Sequence, residues 1–146
     1  MRTLAIDLGS RRVGIAMSDS AGALATPYDV LQVTSPDQAT QQILKIIDKE
    51  AVERVILGLP LNMDDSIGPA AKQTIRWGKD LSSRSGKPVL FVDERLSSFD
   101  AEQSLIARKR GGEKITRKRK KEQLDALAAA SFLQAFLDQK LPPIDV

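Results

Sequence analysis

The chain of 146 residues, 42% hydrophobic and 28% charged, fits one domain (1–146) with a single core. It contains no Cys and no His, which excludes disulfide frameworks, zinc fingers, haem ligation and imidazole-based triads and leaves carboxylates, hydroxyls, Lys and Tyr for any catalysis. The net charge of +3 hides an asymmetry: nine of the 22 basic residues and one of the 19 acids fall between Arg108 and Lys121, a net +8 there against −5 elsewhere.

Residues 3 to 8, 13 to 18 and about 24 to 33 read as three strands joined by short turns, an antiparallel meander. Thr34 and Ser35 are possible caps before Pro36, and Ile43, Leu44, Ile46 and Ile47 give the next segment a helical stripe over about 36 to 51. Val55 to Leu59 is a short unalternating apolar run, as in strands buried on both faces of a parallel sheet. A loop from Pro60 to Gly68 leads to a second helix of about 69 to 85, and a further buried strand spans Val89 to Asp93. A third helix is expected from Ser97 or Ser98 to about Arg108, and a fourth from about 117 to 139. A strand meander followed by alternating strands and helices implies an α/β fold, a mixed sheet flanked by helices.

Asp7 closes the first strand and Asp93-Glu94 closes the fifth. Ligands of such sheets gather outside the carboxyl ends of the strands, so these acids are expected on one edge. Successive residues point to opposite faces, and Glu94, with the longer stem, is favoured over Asp93 to face Asp7. In the last helix Leu124, Leu127, Ala128, Ser131 and Ala135 mark the expected buried face, with Asp125 at its margin. Each acid has an ordinary reading too: Asp7 as a turn cap, Asp93-Glu94-Arg95 as a local ion pair, Asp125 paired with Lys121 one turn before. Together, Asp7, Glu94 and Asp125 make a divalent-cation site of the oxygen-ligand kind that suits Mg²⁺, and a metal-activated water removes the need for a His base.

The basic segment, which includes Lys114, Arg117, Lys118 and Lys121 and a glycine pair, points to nucleic-acid phosphates, a solvated face being the alternative. Aromatic residues make up only 4%, so base stacking is not expected to dominate. Neither a signal peptide nor a bilayer-length apolar run is visible, and a cytoplasmic protein without membrane contact is expected.

Four segments in order carry a resemblance over nearly the whole chain: Asp7 to Asp19, Gly58 to Asp64, Asp93 to Ser97, and Asp125 to Ala129. The chain resembles the YqgF/RuvX family of pre-ribosomal-RNA nucleases, also described as Holliday junction resolvase-like proteins. The resemblance implies an RNase H-like fold, a mixed five-stranded sheet, and a Mg²⁺- or Mn²⁺-dependent phosphodiesterase site at Asp7, Glu94 and Asp125. It also implies phosphate-holding roles for Arg12 and Arg95 and places Asn62 and Asp64 in a loop flanking the groove. One departure is Asp65, where the family usually has Gly; Asp tolerates the left-handed conformation, but the added charge counts against phosphate contact by that loop.

The implied activity is an endonuclease on structured RNA, in maturation of the 5′ end of the small-subunit ribosomal RNA precursor, acting as monomer or homodimer. A DNA junction resolvase shares the same chemistry. The competing class is a non-catalytic RNA-binding assembly or transcription factor, while an actin-like ATPase is disfavoured because such enzymes close two lobes over the nucleotide.

Overall fold

The computed structural model of the chain describes residues 1–95 and 117–146. Strands β1 (Thr3–Leu8), β2 (Arg12–Ser18), β3 (Ala25–Gln32), β4 (Arg54–Leu59) and β5 (Val89–Asp93) form a sheet in the order β3-β2-β1-β4-β5. The β1/β2 and β2/β3 pairs are antiparallel, whereas β1/β4 and β4/β5 are parallel. The described helices are α1 (Pro36–Lys49), α2 (Pro69–Ser85) and α3 (Arg117–Leu137). The expected helix from Ser97 or Ser98 to Arg108 lies outside the described residues, as does the basic segment up to residue 116. No described helix is long and apolar enough to cross a membrane.

Strand alternation divides the core into two layers. Leu4, Ile6, Val13, Ile15, Val55 and Leu57 pack beneath α1 and α2 with Ile43, Ile47, Trp77 and Leu81. Ala5, Ala16, Ile56 and Val92 face the other way, against Ala129, Phe132 and Leu133 of α3. β4 is therefore apolar at successive positions because both its faces are covered. α1 begins where the caps place it: Ser35 Oγ accepts a hydrogen bond from the Gln38 amide at 3.1 Å, and Pro36 occupies the first turn. It stops two residues short of the expected end, just before Ala51 turns to a φ of 53°. α2 ends at Gly86, whose left-handed φ of 71° and amide bond to the Ser82 carbonyl close the last turn.

α3 rests on small residues of β1 and β2, which lets its backbone come close to the sheet. At Gly14 the approach is so tight that a Cβ would overlap the Asp125 carbonyl and stand 2.9 Å from the Asp125 Cβ. Further along, the Gln134 side chain accepts from the Ala25 amide (2.9 Å) and donates to the Ala23 carbonyl (3.0 Å), and the Arg54 guanidinium lies 4.8 Å from the centre of the Phe136 ring. The buried face corrects the expected one. Ala128 is buried as expected, together with Ala126, Ala129, Phe132 and Leu133, while Leu127, Ser131 and Ala135 are half-buried and the Leu124 side chain lies outside the described residues. Apolar residues occur on every side of this helix, so spacing alone had little contrast; the large Phe132 and the small Ala129 decide which side meets the sheet. Asp125, one turn before Ala129, lies at the margin of this face as expected, half-buried with its backbone close to the sheet at Gly14.

Replacing Gly14 by Ala should push α3 away from β2 and lower the unfolding free energy by about 1–3 kcal/mol, the usual cost of overpacking. Urea denaturation measures this directly, and an unchanged midpoint would contradict the close approach.

Candidate active site

Because β1, β4 and β5 run parallel, their carboxyl ends share one edge, and Asp7 and Glu94 both emerge there on the α3 side. β4 stands between them, so two strand spacings of about 4.8 Å each separate their backbones. The gap is bridged across Gly58. Ile6 pairs with Leu57 and Gly58 with Val92, which brings Gly58 level with Asp7. Glu94 folds back over the bare backbone at this point: a Cβ on Gly58 would lie 2.6 Å from Glu94 Oε2 and 3.0 Å from both Glu94 Cβ and the Phe132 ring. Glycine within a strand is the sequence signal for such a passage, and neither Gly58 nor Gly14 stands out from composition or periodicity.

Glu94 reaches far enough to hydrogen-bond with Asp7. Two carboxyl groups can do so only with a proton between them, and both are raised above the ordinary carboxylate range. Desolvation, followed by the nearby Asp7 charge and their hydrogen bond, pushes the Glu94 carboxyl up to about 8. Desolvation also raises Asp7, to about 6; accepting the hydrogen bond opposes this rise, and the charge of Asp125 adds to it. Asp7 is thus no turn cap. That role belongs in the next turn to Asp19, whose Oδ1 accepts from the amide of Ala23 at 2.7 Å.

Asp125 completes the acidic group from α3 but faces a different partner. Arg12, at the start of β2, donates through Nε to Asp125 Oδ2 at 2.8 Å, with side-chain exposures of 36% and 27%. The Lys121 side chain expected beside Asp125 lies outside the described residues, as do the side chains of Arg117 and Lys118 and the whole of Lys114. Among the described residues no three acids are gathered as a ready metal cage. The donor set still fits a hard cation: two half-buried carboxyls hold one proton that a divalent ion would replace, and a third acid is near enough to act on Asp7 through its charge.

Arg95 is fully employed beside this edge. Its Nε and Nη2 grip Asp93 at 3.0 and 2.6 Å, Nη1 donates to the Asn62 carbonyl at 2.8 Å, and Nη2 also pairs with Asp65. The ion pair and the site carboxylate are therefore consecutive residues on opposite faces, with Asp93 held below its usual range by Arg95. Asp65 has a φ of 69°, the left-handed conformation expected where the family has Gly. Asn62 donates its amide to Ser66 Oγ (2.9 Å), and Asp64 Oδ1 accepts from the Ser66 amide at 3.1 Å, so both shape the loop from within. A cavity of about 650 Å³, lined by Leu8, Ala39, Thr74 and Trp77 among others, opens in the opposite layer beneath α1 and α2.

Acids at the carboxyl edge of a mixed five-stranded sheet, with a helix bringing a further acid to the same face, define the RNase H-like class. The chain belongs to the RuvX family: the family model described as "RuvX: Holliday junction resolvase" matches residues 1–139. A protein of Desulforudis audaxviator named "Putative pre-16S rRNA nuclease" is 36% identical over 140 residues, 96% of each chain. One of Trichormus variabilis with the same name is 41% identical over 135 residues, 92% of this chain and 86% of its own. The fold is shared with RuvC of Thermus thermophilus, solved in complex with a Holliday junction substrate, at a TM-score of 0.60 and 16% identity over 99% of both chains. It is also shared with the fowlpox virus resolvase, at a TM-score of 0.54 and 12% identity over 94% and 99% of the two chains.

The pair of raised carboxyls fixes a pH dependence. Folded Asp7 and Glu94 bind protons more tightly than the unfolded chain does, so the pair's contribution to stability is greatest below about pH 4 and is lost as the pH rises to about 8. Urea unfolding in EDTA should show this decline, and Glu94→Gln should remove most of it. Equal slopes for the two proteins would contradict the shared proton.

Proposed function

We propose that this RuvX-family nuclease is a divalent-cation-dependent endonuclease that hydrolyses phosphodiester bonds, with Asp7, Glu94 and Asp125 as its acidic centre and Mg²⁺ or Mn²⁺ as its cofactor. The observation that carries the reading is the carboxyl pair held together over Gly58. A strand glycine and a partly desolvated acidic pair both cost stability, and a protonated pair is of little use to a binding module. Asp7 and Glu94 would hold the ion in place of their shared proton, with Asp125 as the third acid from α3. The chemistry such an ion supplies is activation of water and neutralisation of charge on the phosphodiester, which suits a chain with no His.

The chain's other residues serve the substrate. Nη1 and Nη2 of Arg12 have no partner among the described residues, and a guanidinium fork suits two phosphate oxygens. Lys114, Arg117, Lys118 and Lys121 add the sequence-independent attraction of the basic segment for a nucleic-acid backbone. Arg95 and Asn62 act by holding the 60–68 loop beside the groove, and Arg95 meets a phosphate only by exchanging one of its carboxylate partners. The substrate we favour is the small-subunit ribosomal RNA precursor, at its 5′ end, in the cytoplasm, because the curated relatives carry that name. A second reading, resolution of four-way DNA junctions, is supported by the likeness to RuvC and by the family description, and a stable homodimer would favour it over a monomer.

Purified protein incubated with structured RNA and with a four-way DNA junction, with and without Mn²⁺, separates the two substrates. Asp7→Asn should abolish cleavage while leaving the circular dichroism spectrum unchanged; equal activity in the variant would refute the site. Neutralising Arg117, Lys118 and Lys121 together should weaken binding to all sequences and reduce the salt slope by roughly 0.9 for each duplex phosphate that is no longer neutralised. If that variant loses function in the cell while Asp7→Asn does not, the protein acts by binding alone.

A further inference from the structure

The ion pair between Arg12 and Asp125 has a function of its own. Asp125 is packed tightly against the sheet at Gly14, with Arg12 as its ion-pair partner and Asp7 near enough to feel its charge. It is turned to Arg12, and the described acids accordingly form no ready cage. The contact is a light one: it uses a single nitrogen, Nε, and a single oxygen, and both side chains remain partly open to water. Among the described residues Nη1 and Nη2 of Arg12 have no partner, which leaves two donor nitrogens for another acceptor. A phosphodiester can engage two guanidinium nitrogens at once, and such a bidentate bond is stronger than a one-nitrogen contact to a carboxylate.

We propose that Arg12 is a positioning residue that gates the cation site: it holds Asp125 until a backbone phosphate of the nucleic acid draws it away, so nucleic acid and divalent cation bind cooperatively. The inference rests on the cation-dependent reading given above and adds the order in which the site is assembled. Without nucleic acid the protein carries two of its three acids toward the ion. With nucleic acid it carries all three, and by linkage the bound ion strengthens the grip on the phosphate equally. The same guanidinium cannot serve both partners fully, and this exclusion is the source of the coupling.

Calorimetric titration of Mn²⁺ alone into the wild type, Arg12→Gln, Asp125→Asn and the double variant provides the test. Arg12→Gln should bind Mn²⁺ roughly tenfold more tightly than the wild type, within the usual range of coupling between sites, and the same substitution should have little effect in the Asp125→Asn background. In Ca²⁺, structured RNA or a four-way DNA junction should tighten cation binding by the wild type and not by Arg12→Gln; Arg12→Ala serves if the Gln variant does not fold. Equal or weaker Mn²⁺ binding by Arg12→Gln would overturn the gate. So would the same gain in both backgrounds, which would mark a general effect of charge, or wild-type cation affinity indifferent to nucleic acid. Failure of every protein to bind a divalent cation would instead refute the cation-dependent reading and the gate with it.

Discussion

The passage of Glu94 across the backbone of Gly58 to reach Asp7 is the contact on which the site depends. β5 and β1 are not neighbours, and any side chain on the intervening strand would keep their acids apart. With glycine there, two desolvated carboxyls meet and share a proton, so the fold carries one negative charge where it would otherwise carry two. An unpaired buried carboxylate costs several kcal/mol; a shared proton reduces that cost. The pair is thus tolerable in the free protein and remains exchangeable.

The arginines around this edge divide the remaining work by how they are held. Arg95 uses all three of its nitrogens, gripping Asp93, the Asn62 carbonyl and Asp65, and it locks the 60–68 loop to the end of β5. Arg12 has one partner among the described residues and keeps two nitrogens in reserve. The first arrangement is suited to permanence and the second to exchange. Asp65 turns the departure from the family pattern into part of the lock: it adopts the left-handed backbone that glycine usually supplies there and adds a carboxylate for Arg95.

Much of this arrangement was legible in the residues. The meander, the parallel strands and the starts of the described helices follow from turn chemistry and apolar runs, and alternation together with the longer stem selected Glu94 over Asp93. Two things were hidden for physical reasons. The buried face of α3 could not be read from spacing, because Ala and Leu surround the helix and only packing against Ala5, Ala16 and Val92 distinguishes one side. The partner of Asp125 lies 113 residues away at Arg12, whereas spacing offers only the local Lys121. Gly14 and Gly58 were the available clues, since a glycine inside a strand announces that another chain segment passes close.

The proposed divalent-cation site centres on the carboxyl pair that meets over Gly58. Anomalous diffraction from crystals of the protein soaked in Mn²⁺ tests this most directly. The expected result is an anomalous peak in contact with the carboxylates of both Asp7 and Glu94. A peak elsewhere on the molecule, with those two carboxyls still sharing their proton, would contradict it.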